Sequence, residues 1–234
     1  MNLAYLALKN DILMLKIAPN FPLKIKLLQE TYGFGATPLR EALSRLEGEH
    51  LVQLVPNKGY FTAPASYEEF VELYTNRKQF RKHLLEESIL YGDADWEENI
   101  VATHYRLSRK VSPANEICTP EEYNSWVQAH DAFDQALISA HRSPWMHRFN
   151  VQLTQHIRRQ GRAFLMIMPE TAPQDFSVAA TQSPALRYLY AIEIYTELKD
   201  AALSRNSKEI KSLTDKYTSL TLHAYKEIND KLQI

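Results

Sequence analysis

The chain has 234 residues, 45% hydrophobic and 24% charged, with six Gly and eleven Pro, the composition of an ordinary globular protein rather than a disordered tail or disulfide miniprotein. Its 27 Lys and Arg against 28 Asp and Glu give a formal net charge of −1, which excludes a general polycation, so nucleic-acid binding would rest on a local patch. The single Cys118 forms no intrachain disulfide, and neither a signal peptide nor an apolar run of about 18 residues is visible, so the expectation is a cytoplasmic protein with no membrane partner.

Apolar residues at helical spacing predict a first helix over 3–17, ending before Pro19, and a short second helix over 27–32. Gly33 and Gly35 supply a turn, and a third helix starts with Thr37 as N-cap and Pro38 in its first turn. Its stripe Leu39, Ala42, Leu43 and Leu46 faces inward and leaves Arg40, Glu41, Ser44 and Arg45 outward. A strand over 51–55, a turn over 56–59 and a returning strand over 60–62 complete a helix-turn-helix with a β-wing. The pattern then changes at Thr62-Ala63-Pro64-Ala65, which places a domain boundary between 1–63 and 66–234. Seven basic against five acidic residues lie before it, 20 against 23 after it.

The second part reads as all helix, with capping boxes at Ser66-Tyr67-Glu68-Glu69, Asp95-Trp96-Glu97-Glu98 and Thr119-Pro120-Glu121-Glu122. Further helices are predicted over 143–168, 184–204 and 207–231. The fold class is therefore mainly α: an N-terminal winged helix-turn-helix and a C-terminal antiparallel bundle of six or seven helices. A recognition helix needs a guanidinium or amide near its first turn, which Arg40 provides, while Lys58 puts a cation on a compact wing tip and Lys26 can reach the phosphate backbone.

The run Thr37-Pro38-Leu39-Arg40-Glu41-Ala42-Leu43-Ser44-Arg45-Leu46-Glu47, then Glu49-His50-Leu51-Val52, then Pro56-Asn57-Lys58-Gly59-Tyr60 closely resembles the winged helix-turn-helix of the GntR family of bacterial transcription regulators. The resemblance implies DNA contacts at Lys26, Thr37, Arg40, Lys58 and Gly59. It also implies a double-stranded operator as partner, a repressor's role and a homodimer, since one winged helix reads only a half-site. Two departures stand out: Gly35-Ala36 replaces the Ser-Arg common before Thr-Pro, and His50 replaces the usual Gly.

The rest of the chain resembles the FadR-like branch with its FCD effector domain; Asp95-Trp96-Glu97, His130-Asp131-Ala132-Phe133-Asp134 and Arg158-Arg159 are closest in texture to CsiR-like members. The branch implies a small carboxylate effector, often held through a divalent metal by one Asp and three His. Here His130 and Asp134 lie at i and i+4, with acid and imidazole partly exchanged, and the other two ligand positions fall on Tyr195 and Tyr217. A Zn²⁺ or similar ion, if any, would rest on His130 and Asp134, with His156 and His223 as substitute ligands that nothing in the spacing requires. Without it, Arg159 is the first candidate for the carboxylate, with Arg158 and Arg162 as rivals, and His130, Asp134, Tyr195 and Tyr217 around the effector. The competing readings are a metal-dependent helical-bundle enzyme, for which no nucleophile and base pair is visible, and a winged-helix interaction module that binds no DNA.

Overall fold

The computed structural model describes residues 2–113, 118–166 and 183–232. It contains ten helices and one hairpin among those residues: α1 (Leu3–Leu13), α2 (Ile25–Tyr32), α3 (Ala36–Gly48), β1 (Val52–Val55), β2 (Gly59–Thr62), α4 (Tyr67–Tyr91), α5 (Ala94–Ser108), α6 (Pro120–Ile138), α7 (Pro144–Met166), α8 (Pro184–Tyr190), α9 (Ile192–Leu203) and α10 (Ser207–Leu232). The last two positions of the helix predicted over 143–168 lie outside the described residues. Two compact units divide the chain, one of Met1–Phe70 with Thr154–Phe164, the other of Val71–Leu153 with Leu165–Ile234.

In the first unit, three helices and the hairpin enclose one apolar core. Leu8 and Ile12 from α1, Leu28 from α2, Leu39, Leu43 and Leu46 from α3, and Leu51 and Val52 at the hairpin are all buried in it. The inward stripe of α3 is the predicted one. The first helix stops four residues early because Leu15 adopts a left-handed φ of 58° and cannot continue the helix. Gly35, not Thr37, caps α3, which moves Thr37 into its first turn.

The end of α3 explains the importance of position 50. The His50 N–H donates to the Glu47 carbonyl at 2.9 Å and the Leu51 N–H to the Leu46 carbonyl at 3.0 Å, the paired reverse bonds of a Schellman turn. That turn requires a left-handed residue, and His50 supplies it at φ 59° where glycine would be unstrained. The chain then enters β1, which pairs antiparallel with β2 from Val52 opposite Thr62 to Val55 opposite Gly59. Left-handed Asn57 and Gly59 make the tight wing tip.

The α7 stretch of this unit fastens the chain after the wing. Buried Arg159 donates from Nη1 to the Pro64 carbonyl at 3.1 Å and from Nη2 to the Ala63 carbonyl. Gln160 Oε1 accepts from the Ser66 N–H at 3.1 Å, and His156 Nε2 donates to the Glu49 carbonyl at 2.9 Å. These bonds pair the Glu49, Ala63 and Pro64 carbonyls and the Ser66 N–H with side chains of α7. Burial lowers the His156 pKa against the opposing effect of the Glu49 carbonyl, with Arg159 adding to the lowering.

The second unit contains a helical core that includes Leu84, Leu85, Trp96, Ile100, Trp126, Phe133, Ile194, Tyr195 and Leu198. Thr119 and Glu122 form the predicted capping box of α6, their bonds at 3.2 and 2.8 Å. The cap of α5 is Asp93, which accepts from the Trp96 N–H at 3.0 Å, rather than Asp95. The single helix expected over 184–204 is two helices, because Ala191 is extended (ψ 141°) and the Ser112 hydroxyl donates to the Tyr190 carbonyl. No helix among the described residues is long and apolar enough to cross a membrane.

Candidate functional site

Two groups of predicted residues occupy different places. In the first unit, Lys26 lies in the first turn of α2 and Thr37 and Arg40 one turn apart near the start of α3. All three are exposed, as is Lys58 at the wing tip, with half-buried Gly59 beside it as the first residue of β2. The physical reason is common to all: α3 spends its apolar positions on the core, so its Thr37, Arg40, Glu41 and Ser44 positions face water. Arg40 near the helix start, with Glu41 beside it, and a cation on a two-stranded wing form a hydrogen-bonding surface suited to a duplex: donors for base edges on the helix, donors for phosphates at the wing and at α2.

In the second unit, His130, Asp134, Tyr195 and Tyr217 line one narrow cleft with Arg81, Phe133 and Leu198, about 10 Å³ in volume, room for about one water. Its wall is aromatic. His130 stacks on Trp126 with ring centres 5.2 Å apart and meets Tyr195 edge-on at 5.1 Å; Tyr217 stands 6.4 Å from Tyr195. The Tyr195 hydroxyl donates to the Leu189 carbonyl, so its proton is committed to the backbone where α8 ends.

Asp134 is the charged centre of the cleft. Arg77 Nη2 reaches its Oδ2 at 2.6 Å, while Arg81 reaches Oδ1 from Nε at 2.8 Å and from Nη2 at 2.7 Å. Arg81 Nη1 also donates to the Thr214 hydroxyl at 3.2 Å. Burial alone would push the Asp134 carboxyl up, but the Arg81 and Arg77 guanidiniums, helped by His130, hold it well below the usual carboxylate range. Asp134 is therefore an ion at neutral pH. Arg77 and Arg81 stand at i and i+4 on one face of α4, and that spacing is the sequence signal by which they could have been found beside the residues of α6.

Arg159 is not in this cleft. It belongs to the first unit, where its two Nη atoms donate to the Pro64 and Ala63 carbonyls while its buried Nε has no partner among the described residues. Its rival Arg162 donates to the Leu13 carbonyl at 3.2 Å in the same unit.

The cleft's donors do not suit a divalent cation. Both Asp134 oxygens already accept from guanidiniums, the Tyr195 phenol is bonded to a carbonyl, and a metal would sit beside two fixed positive charges. Among the described residues no three His, Cys, Asp or Glu side chains come together as a metal site would need.

Residues 2–62 match the family model for bacterial regulatory proteins of the gntR family. The HTH-type transcriptional regulator BphR of Paraburkholderia xenovorans (strain LB400) is 34% identical over 61% of this chain and 58% of its own length. The HTH-type transcriptional repressor GlaR of Escherichia coli (strain K12) is 34% identical over 58% of this chain and 60% of its own. The matched region thus spans about three fifths of these relatives. A solved structure of a putative transcriptional regulator GntR from Rhodococcus sp. RHA1 superposes with a TM-score of 0.65 over 96% of this chain and 94% of that one at 18% identity, a likeness of fold.

Proposed function

We propose that the chain, whose residues 2–62 match the family model for bacterial regulatory proteins of the gntR family, is a DNA-binding transcription regulator rather than an enzyme. In this reading Arg40 and Thr37 on α3 address base edges, and Lys26, Lys58 and Gly59 address the backbone and minor groove. The observation that carries it is the solvent-facing start of α3 over a fully apolar underside, beside a hairpin tipped by Lys58. The E. coli relative bears the name of a repressor, which supports repression as the mode of action. The reading includes a homodimer, supported by the general rule that a single winged helix covers one half-site.

The same reading assigns the cleft around Asp134 to a small carboxylate metabolite. Its support is a buried cluster with two guanidiniums against one carboxylate, bordered by aromatic rings. The effector acts by binding one arrangement of the dimer's wings more tightly than another.

The test is fluorescence anisotropy with a labelled duplex from upstream of the protein's own coding region. Binding should weaken steeply with salt, and Arg40→Ala should cost about 1–3 kcal/mol, or roughly 5- to 150-fold in Kd. Salt-sensitive binding unchanged by both Arg40→Ala and Lys58→Ala would remove the assigned interface.

A further inference from the structure

We propose that Lys24 is a further phosphate-binding residue, which joins the start of α2 to the wing as one strip of cations along the DNA backbone. This rests on the reading of the first unit as a DNA-binding domain.

The placement comes from an extended segment that runs beside β2 before α2 begins. Pro22 bridges to Phe61 in antiparallel sense, the Leu23 N–H donates to the Tyr60 carbonyl at 2.8 Å, and the Thr62 N–H donates to the Phe21 carbonyl at 3.0 Å. Lys24 is still extended, at φ −72° and ψ 124°, and α2 starts at the next residue. Counted on from Pro22 opposite Phe61, that register puts Lys24 at the Gly59 end of β2, where Lys58 tips the wing. Lys26 follows in the first turn of α2. The three lysines thus run from the wing to the start of the helix that, in a helix-turn-helix, crosses the backbone.

The cations of the first unit also differ in what they already hold. Lys9 pairs with Glu49 at 2.7 Å and Lys16 with Asp11 at 3.1 Å, while the Arg45 guanidinium lies 3.8 Å from the centre of the Tyr5 ring and 3.6 Å from Glu49. Arg45 stands five positions after Arg40, about 140° further round α3, so it faces away from the duplex side. Lys24, Lys26, Arg40 and Lys58, by contrast, are exposed, and none of them has an ion-pair or hydrogen-bond partner among the described residues. The first turn of α2 carries no acidic side chain to neutralise Lys24 or Lys26. An ammonium is a point charge with three donors, suited to a phosphate and blind to the base beside it.

Anisotropy titrations of the full chain over a series of salt concentrations test this, with the upstream duplex and a shuffled duplex of the same composition as probes. Lys24→Gln should lower the slope of log Kd against log salt by about 0.9 for each winged domain bound, and weaken binding roughly 5- to 10-fold per domain near 0.1 M salt. The loss should be the same factor on both duplexes, whereas Arg40→Ala acts mainly on the upstream one. Arg45→Gln should leave the slope unchanged, and Lys24→Arg, which keeps the charge, should hold the wild-type slope. A wild-type slope and Kd in Lys24→Gln would overturn the inference while leaving the DNA-binding reading intact. A loss confined to the upstream duplex would also overturn it, since that is the mark of a base contact. A slope lowered as much by Lys24→Arg as by Lys24→Gln would assign the effect to the local fold instead of the charge. No salt-sensitive binding of either duplex by the wild type would remove the DNA-binding reading and this inference with it.

Discussion

Replacing Asp134 by Asn keeps the shape of the side chain and removes its charge, so Arg77 and Arg81 lose the counter-ion they share at 2.6 to 2.8 Å. All three side chains are about nine-tenths buried, so screening by water does not soften the loss. Breaking a buried pair from one side costs about 3–5 kcal/mol, which for a chain of this size lowers the thermal midpoint by roughly 6–20 °C. Chemical denaturation followed by tryptophan fluorescence measures it, since Trp96 and Trp126 both lie in the core of this unit. The pH dependence gives a second readout. Because the folded carboxyl is held below its ordinary value, its stabilisation is complete above about pH 4 and is lost as pH falls further, through the folded pKa. The wild type should therefore lose stability more steeply than Asp134→Asn in acid. An Asp134→Asn protein within about 0.5 kcal/mol of wild type at neutral pH would refute the reasoning, since surface pairs are worth that little.

His50→Gly should stabilise the first unit by roughly 0.5–1 kcal/mol, by relieving the left-handed strain at φ 59° while keeping both bonds of the Schellman turn; an unchanged or lower denaturation midpoint would count against it. His156 has a lowered folded pKa, so its contribution is complete above the ordinary histidine value of about 6.5 and is lost as pH falls through the folded pKa. His156→Gln should flatten part of that loss in unfolding measured at stepped pH, the rest belonging to His104 and His141, which burial also lowers. Identical slopes for the two proteins would sink that assignment.

What the sequence discloses is what local spacing encodes. The stripe of α3, the capping box at Thr119 and the hairpin around Asn57 and Gly59 all follow from residues within a few positions of each other. What it hides is long-range. The partners of Arg159 lie 95 and 96 residues away, so a buried backbone clamp looks in sequence like a free cation. Arg81 meets Asp134 across 53 positions, and the break at Ala191 depends on Ser112, 78 residues from the carbonyl it captures. Alanine has the highest helix propensity of all residues, so nothing local marks a break there. Four of the five predicted effector residues share a cleft, as the resemblance to the FadR-like branch implies; register within α6, α9 and α10 does not by itself bring those helices together, and the arginine facing them comes from α4.

The most direct test of the whole account joins its two sites. The Kd for the upstream duplex would be measured as a panel of small carboxylates is titrated, for the wild type and for Arg81→Gln. The account predicts a change of roughly 5- to 150-fold in the wild type and none in the variant, whose affinity without acid stays that of the wild type. A wild-type Kd that does not move while the acid saturates the cleft would contradict it.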